Sequence, residues 1–170
     1  MDSAEVLLDA FGRIGEEVHA VLDDISPSQL TFQPSEGANT VTWLIWHLTR
    51  IQDDHVAAAA ATEQVWLSGG WAARFALPFP VSATGYGQGP EDVVAVRAEA
   101  PSLRGYFDDV HNVTTGFVRT LTDADLVRIV DERWDPPVSL GVRLVSVVAD
   151  DLQHVGQAAY IRGLSETEHP

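Results

Sequence analysis

Two histidines and an aspartate carry the spacing in this sequence best suited to chemistry. Asp150 and His154 lie four residues apart within the stretch from Leu144 to Ile161. On a helix they point the same way from adjacent turns, so a divalent ion could bridge them. His47 sits in a second apolar stripe formed by Val41, Leu44, Leu48 and Ile51 and could supply a third ligand from another helix. Three imidazole and carboxylate ligands leave positions for water or substrate, as in an open catalytic site rather than a closed structural one. Zinc suits such a set, with nickel, iron or manganese as alternatives.

Polar groups on a face that must pack against other helices need a reason, because an unpaired buried charge costs several kcal/mol. A metal ion would satisfy them. So would a hydrogen-bonded network, such as His47 with Asp54 or His154 with Asp151, and the spacing leaves both open. Gln157, one turn past His154, is placed to hydrogen-bond a ligand or substrate. His55 follows His47 by about two turns and, with Asp54, is a candidate to orient ligands or substrate. His19 and His111 read as surface or packing residues, and His169 lies in the tail.

Composition narrows the classes of function. Ten Lys and Arg against 25 Asp and Glu give a formal charge of -15, which repels a phosphate backbone or an anionic membrane surface. No nucleic-acid or membrane partner is expected. The chain has no cysteine, so disulfides, thiolate ligands and a protein thiol nucleophile are excluded. With no basic-then-apolar leader and no membrane-spanning run, the expected location is cytoplasmic.

The elements that must position these residues are helices. A chain of 170 residues suits a single domain spanning 1–170. Val6, Leu7, Phe11, Ile14, Val18, Val21 and Leu22 mark a first amphipathic helix from Asp2 to about Leu22, capped by Asp2 or Ser3. A linker from Ser26 to Asn39 precedes a second helix over Val41 to about Ala61, with Asn39 or Thr40 as its cap. From Trp66 to Pro90 the chain is rich in Gly, Pro and aromatics without a sustained period, which predicts a lid, a binding loop or a hydrophobic plug. Helical patterning resumes from Glu91 to Leu121, with a kink or break near Ala100 set by Pro101. A turn at Thr122–Asp125 and a short extended segment over Leu126 to Arg133 lead to the last helix, from about Ser139 to Leu164. The reading is all-α, a four-helix bundle with a long irregular loop between helices 2 and 3.

The segments Trp43-Leu-Ile-Trp-His47-Leu-Thr-Arg-Ile-Gln-Asp-Asp54-His55 and Asp150-Asp-Leu-Gln-His154-Val-Gly-Gln157 resemble the second-helix and last-helix motifs of the DinB-like superfamily. They are most similar to its branch of mycothiol-dependent maleylpyruvate isomerases and mycothiol S-transferases. That resemblance implies a divalent metal held by His47, Asp150 and His154. It also implies mycothiol or another low-molecular-weight thiol as cosubstrate, a small electrophile as substrate, and pairing into a homodimer. Position 150 departs from the pattern, being Asp where these proteins more often carry His or Glu. The isomerases also carry a further C-terminal domain not found in this sequence, so isomerase chemistry is not expected. The implied activity is a metal-dependent thiol transferase, with a non-catalytic ligand- or partner-binding bundle and a metal-dependent hydrolase as the competing readings.

Overall fold

A computed structural model describes residues 2–168; His169 lies outside them. Four long helices surround one core: α1 (Ser3–Leu22), α3 (Val41–Ala60), α7 (Ala100–Val118) and α8 (Leu140–Glu168). Each of α8 and α7 packs on both α1 and α3, and the α3/α8 seam is the most extensive. Phe11, Ile14, Val18, Leu44, Leu48, Leu103, Phe107, Leu144 and Val147 meet at the centre, as the apolar periods predict. The expected all-α architecture is observed, with one two-stranded hairpin added. Among the described residues no helix is long and apolar enough to cross a membrane.

Local chemistry sets the helix ends. Asp2 and Glu5 form a reciprocal capping box on α1. Thr40 accepts from the Trp43 amide at 3.1 Å to start α3. Ala61, at φ +55°, ends that helix by returning its amide to Ala57 and Ala58 carbonyls. The expected third helix is divided into α6 (Pro90–Ala95) and α7, with extended backbone at Val96 and Glu99 between them. Pro101 stands in the first turn of α7, where its missing N–H goes unmissed. At the other end α8 runs through Gly163 to Glu168, beyond the expected stop near Leu164.

The stretches read as linker and loop contain short helices: α2 (Pro27–Thr31), α4 (Val65–Ser68) and α5 (Trp71–Phe75). The connection from Ala61 to Gly89 wraps the outer side of α3, and every residue from Val41 to Arg50 is buried. A buried polar network fastens it. Both Asp53 carboxylate oxygens cap α4, accepting from the amides of Val65 at 2.8 Å and Trp66 at 2.7 Å, and Tyr106 donates to the same carboxylate at 2.8 Å. Arg50, fully buried, lies 3.6 Å from Asp53 and over the Trp66 ring, and donates to Gln64 at 2.9 Å and to the Ala83 carbonyl at 3.1 Å. With each charge matched this way, burial costs far less than it would for either group alone.

Strands β1 (Ile129–Asp131) and β2 (Val138–Ser139) pair antiparallel just ahead of α8; β1 falls in the segment expected to be extended, and β2 lies beyond it, taking Ser139 from the expected helix. Asp131 accepts from Arg133 and, at 2.8 Å, from Arg143 on α8, tying the hairpin to the bundle.

Candidate metal centre

His47 on α3 meets Asp150 and His154 on α8 across the seam between these helices. One nitrogen or oxygen atom from each of the three lies within 4.8 Å of the others. The four-residue spacing puts Asp150 and His154 on one face of α8, with Asp150 Oδ1 3.6 Å from His154 Nε2. The His47 and His154 rings stand edge to face with centroids 4.7 Å apart. Trp43, one turn before His47, stacks flat on its ring at 4.6 Å and donates its indole N–H to Gln88 at 2.8 Å.

Outer partners fix which ring nitrogens face the cluster. The Thr84 carbonyl lies 2.6 Å from His47 Nδ1 and can accept only from a protonated nitrogen, so Nδ1 carries the hydrogen and Nε2 keeps its lone pair. Gln157 Oε1 stands 3.4 Å from His154 Nδ1 and plays the same part more weakly. Imidazole ligands characteristically hold their second nitrogen in this way.

The electrostatics suit a cation. Burial lowers the His47 pKa, and the nearby His154 adds to the effect, so His47 is held neutral with its lone pair available. Burial opposes ionisation of Asp150, yet its contact with His154 and the fields of His154 and His47 keep its pKa below the ordinary value. His154 is raised, first by its contact with Asp150 and against the effect of burial. Asp150 Oδ2 is buried without a hydrogen-bond partner among the described residues, which is costly for a carboxylate unless something else satisfies it. Two imidazoles, one carboxylate and that unpaired oxygen fit a divalent ion of the zinc or first-row type. Despite its short side chain, Asp150 brings a carboxylate oxygen within 4.8 Å of both imidazoles.

The other candidate residues are arranged along the same seam. Asp54 accepts from Gln64 at 2.7 Å and lies 3.6 Å from His55. His55 faces the Arg143 guanidinium, 3.3 Å from its Nη1, and burial followed by that positive charge lowers its pKa. Eight helical positions separate His55 from His47, a rise of about 12 Å, so this pair lies outside the ligand cluster. The alternative networks do not form: His47 bonds to Thr84 rather than Asp54, and His154 contacts Asp150 and Gln157 rather than Asp151. Sequence reading did not single out Thr84, Gln88, Trp43 or Arg143. Trp43 alone gave a signal, by lying one turn from His47.

Comparisons with known proteins bear on the family and the fold. No curated protein matches the chain. A crystal structure described as a conserved protein from Enterococcus faecalis superposes with a TM-score of 0.88 at 29% identity, covering 95% of this chain and 96% of that one. The family model described as DinB superfamily matches residues 10–158. That match spans most of the chain and includes His47, Asp150 and His154, and the chain belongs to the DinB superfamily.

Proposed function

We propose that the protein is a metal-dependent thiol transferase, joining a low-molecular-weight thiol such as mycothiol to a small electrophile. The observation that carries this reading is the convergence of His47, Asp150 and His154 within 4.8 Å, with ring tautomers that leave lone pairs facing the cluster. A divalent ion held there supplies Lewis acidity, which lowers the pKa of a thiol brought to it. The chain has no cysteine, so the nucleophilic sulfur comes from the small molecule. His47, neutral and braced by Trp43 and Thr84, keeps one wall of the site rigid. Gln157 is exposed one turn beyond His154 and can hydrogen-bond the incoming substrate. In the reaction a sulfur–carbon bond forms, the electrophile's leaving group departs with its electron pair, and the thiol proton passes to solvent.

The test is direct. Zinc- or nickel-loaded protein is mixed with mycothiol, bacillithiol or glutathione and a chlorinated nitroarene, and chloride release is followed beside His47→Ala and His154→Ala. Turnover in the wild type that both variants lose is expected. No turnover above background with any thiol would overturn the transferase reading, and hydrolysis of esters or amides without thiol would replace it with the hydrolase.

A further inference from the structure

The metal ligand His47 is held by a part of the chain far from it in sequence. Three side chains on one stripe of α3, Trp43, His47 and Arg50, each tie down the return of the long connection. Trp43 bonds to Gln88 at 2.8 Å, His47 to the Thr84 carbonyl at 2.6 Å, and Arg50 to the Ala83 carbonyl at 3.1 Å. Two of the three contacts go to backbone atoms, so the path of the main chain, and not the identity of its side chains, sets where they fall.

Gly85 makes that path possible. Its φ is +97°, where L side chains are disfavoured. A Cβ there would come within 2.5 Å of His47 Nδ1, 3.1 Å of His47 Cγ and 3.2 Å of Trp43 Cζ2. No carbon can sit that close, and the contacted ring is itself stacked on Trp43 and set edge to face against His154. It cannot retreat without leaving the cluster. Gly87 offers a built-in comparison: its φ is +76°, yet a Cβ there meets nothing within 4 Å. The same left-handed backbone is thus present two residues on, without the crowding.

The geometry points to the Thr84–Gly85 peptide as the outer partner of the metal ligand His47, with Gly85 a positioning residue for the metal centre. This rests on the reading of His47, Asp150 and His154 as ligands. The Thr84 carbonyl selects the Nδ1–H tautomer and orients the ring, and the bare Cα of Gly85 lets the peptide come near enough to do so. Outer partners of metal-bound imidazoles typically govern affinity by about 10–100-fold, and that is the scale expected here.

Gly85→Ala and Gly87→Ala separate crowding at His47 from strain in the backbone. Cobalt and zinc affinity are measured by titration, the cobalt absorption spectrum reports coordination geometry, and nitrogen NMR of the metal-free proteins reports the His47 tautomer. Gly85→Ala is expected to weaken metal binding by about 10–100-fold, to change the cobalt spectrum, and to lose the Nδ1–H preference. Gly87→Ala should stay within a few-fold of wild type, with its spectrum and tautomer unchanged. Wild-type affinity in Gly85→Ala, or equal losses in both variants, would overturn the inference while leaving the ligand set standing. If the wild type binds no metal, the ligand reading fails. The tautomer then decides the clamp on its own: a wild-type His47 without the Nδ1–H preference overturns it, and one whose preference is lost only in Gly85→Ala supports it.

Discussion

Asp151 offers the sharpest test of the packing argument. It is fully buried beside Asp150, a proposed ligand, and neither of its carboxylate oxygens has a hydrogen-bond partner among the described residues. Leucine has the same heavy-atom branching, so Asp151→Leu replaces an unsatisfied polar group with an apolar one of similar outline. Removing such a group recovers about 1–3 kcal/mol, and the bulkier methyls return about 1 kcal/mol of that as crowding. A net gain of up to about 2 kcal/mol raises Tm by up to about 8 °C in a chain of this size. The pH dependence provides an independent check. Burial, reinforced by the charge of Asp150, lifts the Asp151 pKa well above the usual carboxylate range. The folded protein therefore keeps a proton that the unfolded chain sheds above about pH 4, and the wild type loses stability from this group as pH rises. The advantage of the variant should be greatest at neutral pH and shrink as pH falls toward 4. Thermal and urea unfolding of the metal-free proteins at pH 7 and pH 4 measures both effects. A variant less stable than wild type at pH 7, or an advantage that grows on acidification, refutes the account.

Two further outcomes follow from the site and from its support. His154 must lose its proton to act as a ligand, and its contact with Asp150 raises its pKa; metal affinity should climb with pH up to that raised value and then level off, while the metal-free protein loses the stabilisation from this pair as pH rises from about 6.5 through the raised value. Calorimetric titration across pH 5.5–9 checks this, and a flat profile would count against His154 as a ligand. Asp53→Ala strips the acceptor from two amides and Tyr106 and leaves Arg50 buried without its counter-charge; a loss of about 3–5 kcal/mol is expected, and urea unfolding showing less than about 1 kcal/mol would show that the network contributes little.

The long helices were legible because their apolar residues repeat over four or more turns, and the fold buries Phe11, Ile14 and Val18 in one core with Leu144 and Val147. Asp150 and His154 were legible for the same reason: a regular helix converts a spacing of four into a shared direction. The connection from Ala61 to Gly89 resisted reading because its helices are too short to show a period. α4 starts where Asp53 accepts its amides, a cap supplied from twelve residues upstream on another helix. The partner of His47 was invisible for a different reason. It is a main-chain carbonyl, identical at every residue, and only the folded path of the chain singles out Thr84. The break before α7 was foreseen from Pro101, whereas the continuation of α8 through Gly163 reflects packing: Ile161 and Ser165 are buried against the bundle, outweighing the weak helix preference of a single glycine.

The return of that connection over α3 also separates two roles within a few residues. Ala83 and Thr84 hold α3 side chains through their carbonyls, while Tyr86, between two left-handed glycines, is 91% exposed. Exchanging the side chain at 86 alters what an approaching molecule meets and leaves the brace on His47 as it was. The fold thus lets this stretch of surface be varied one side chain at a time while the main-chain hold on the α3 side chains stays in place.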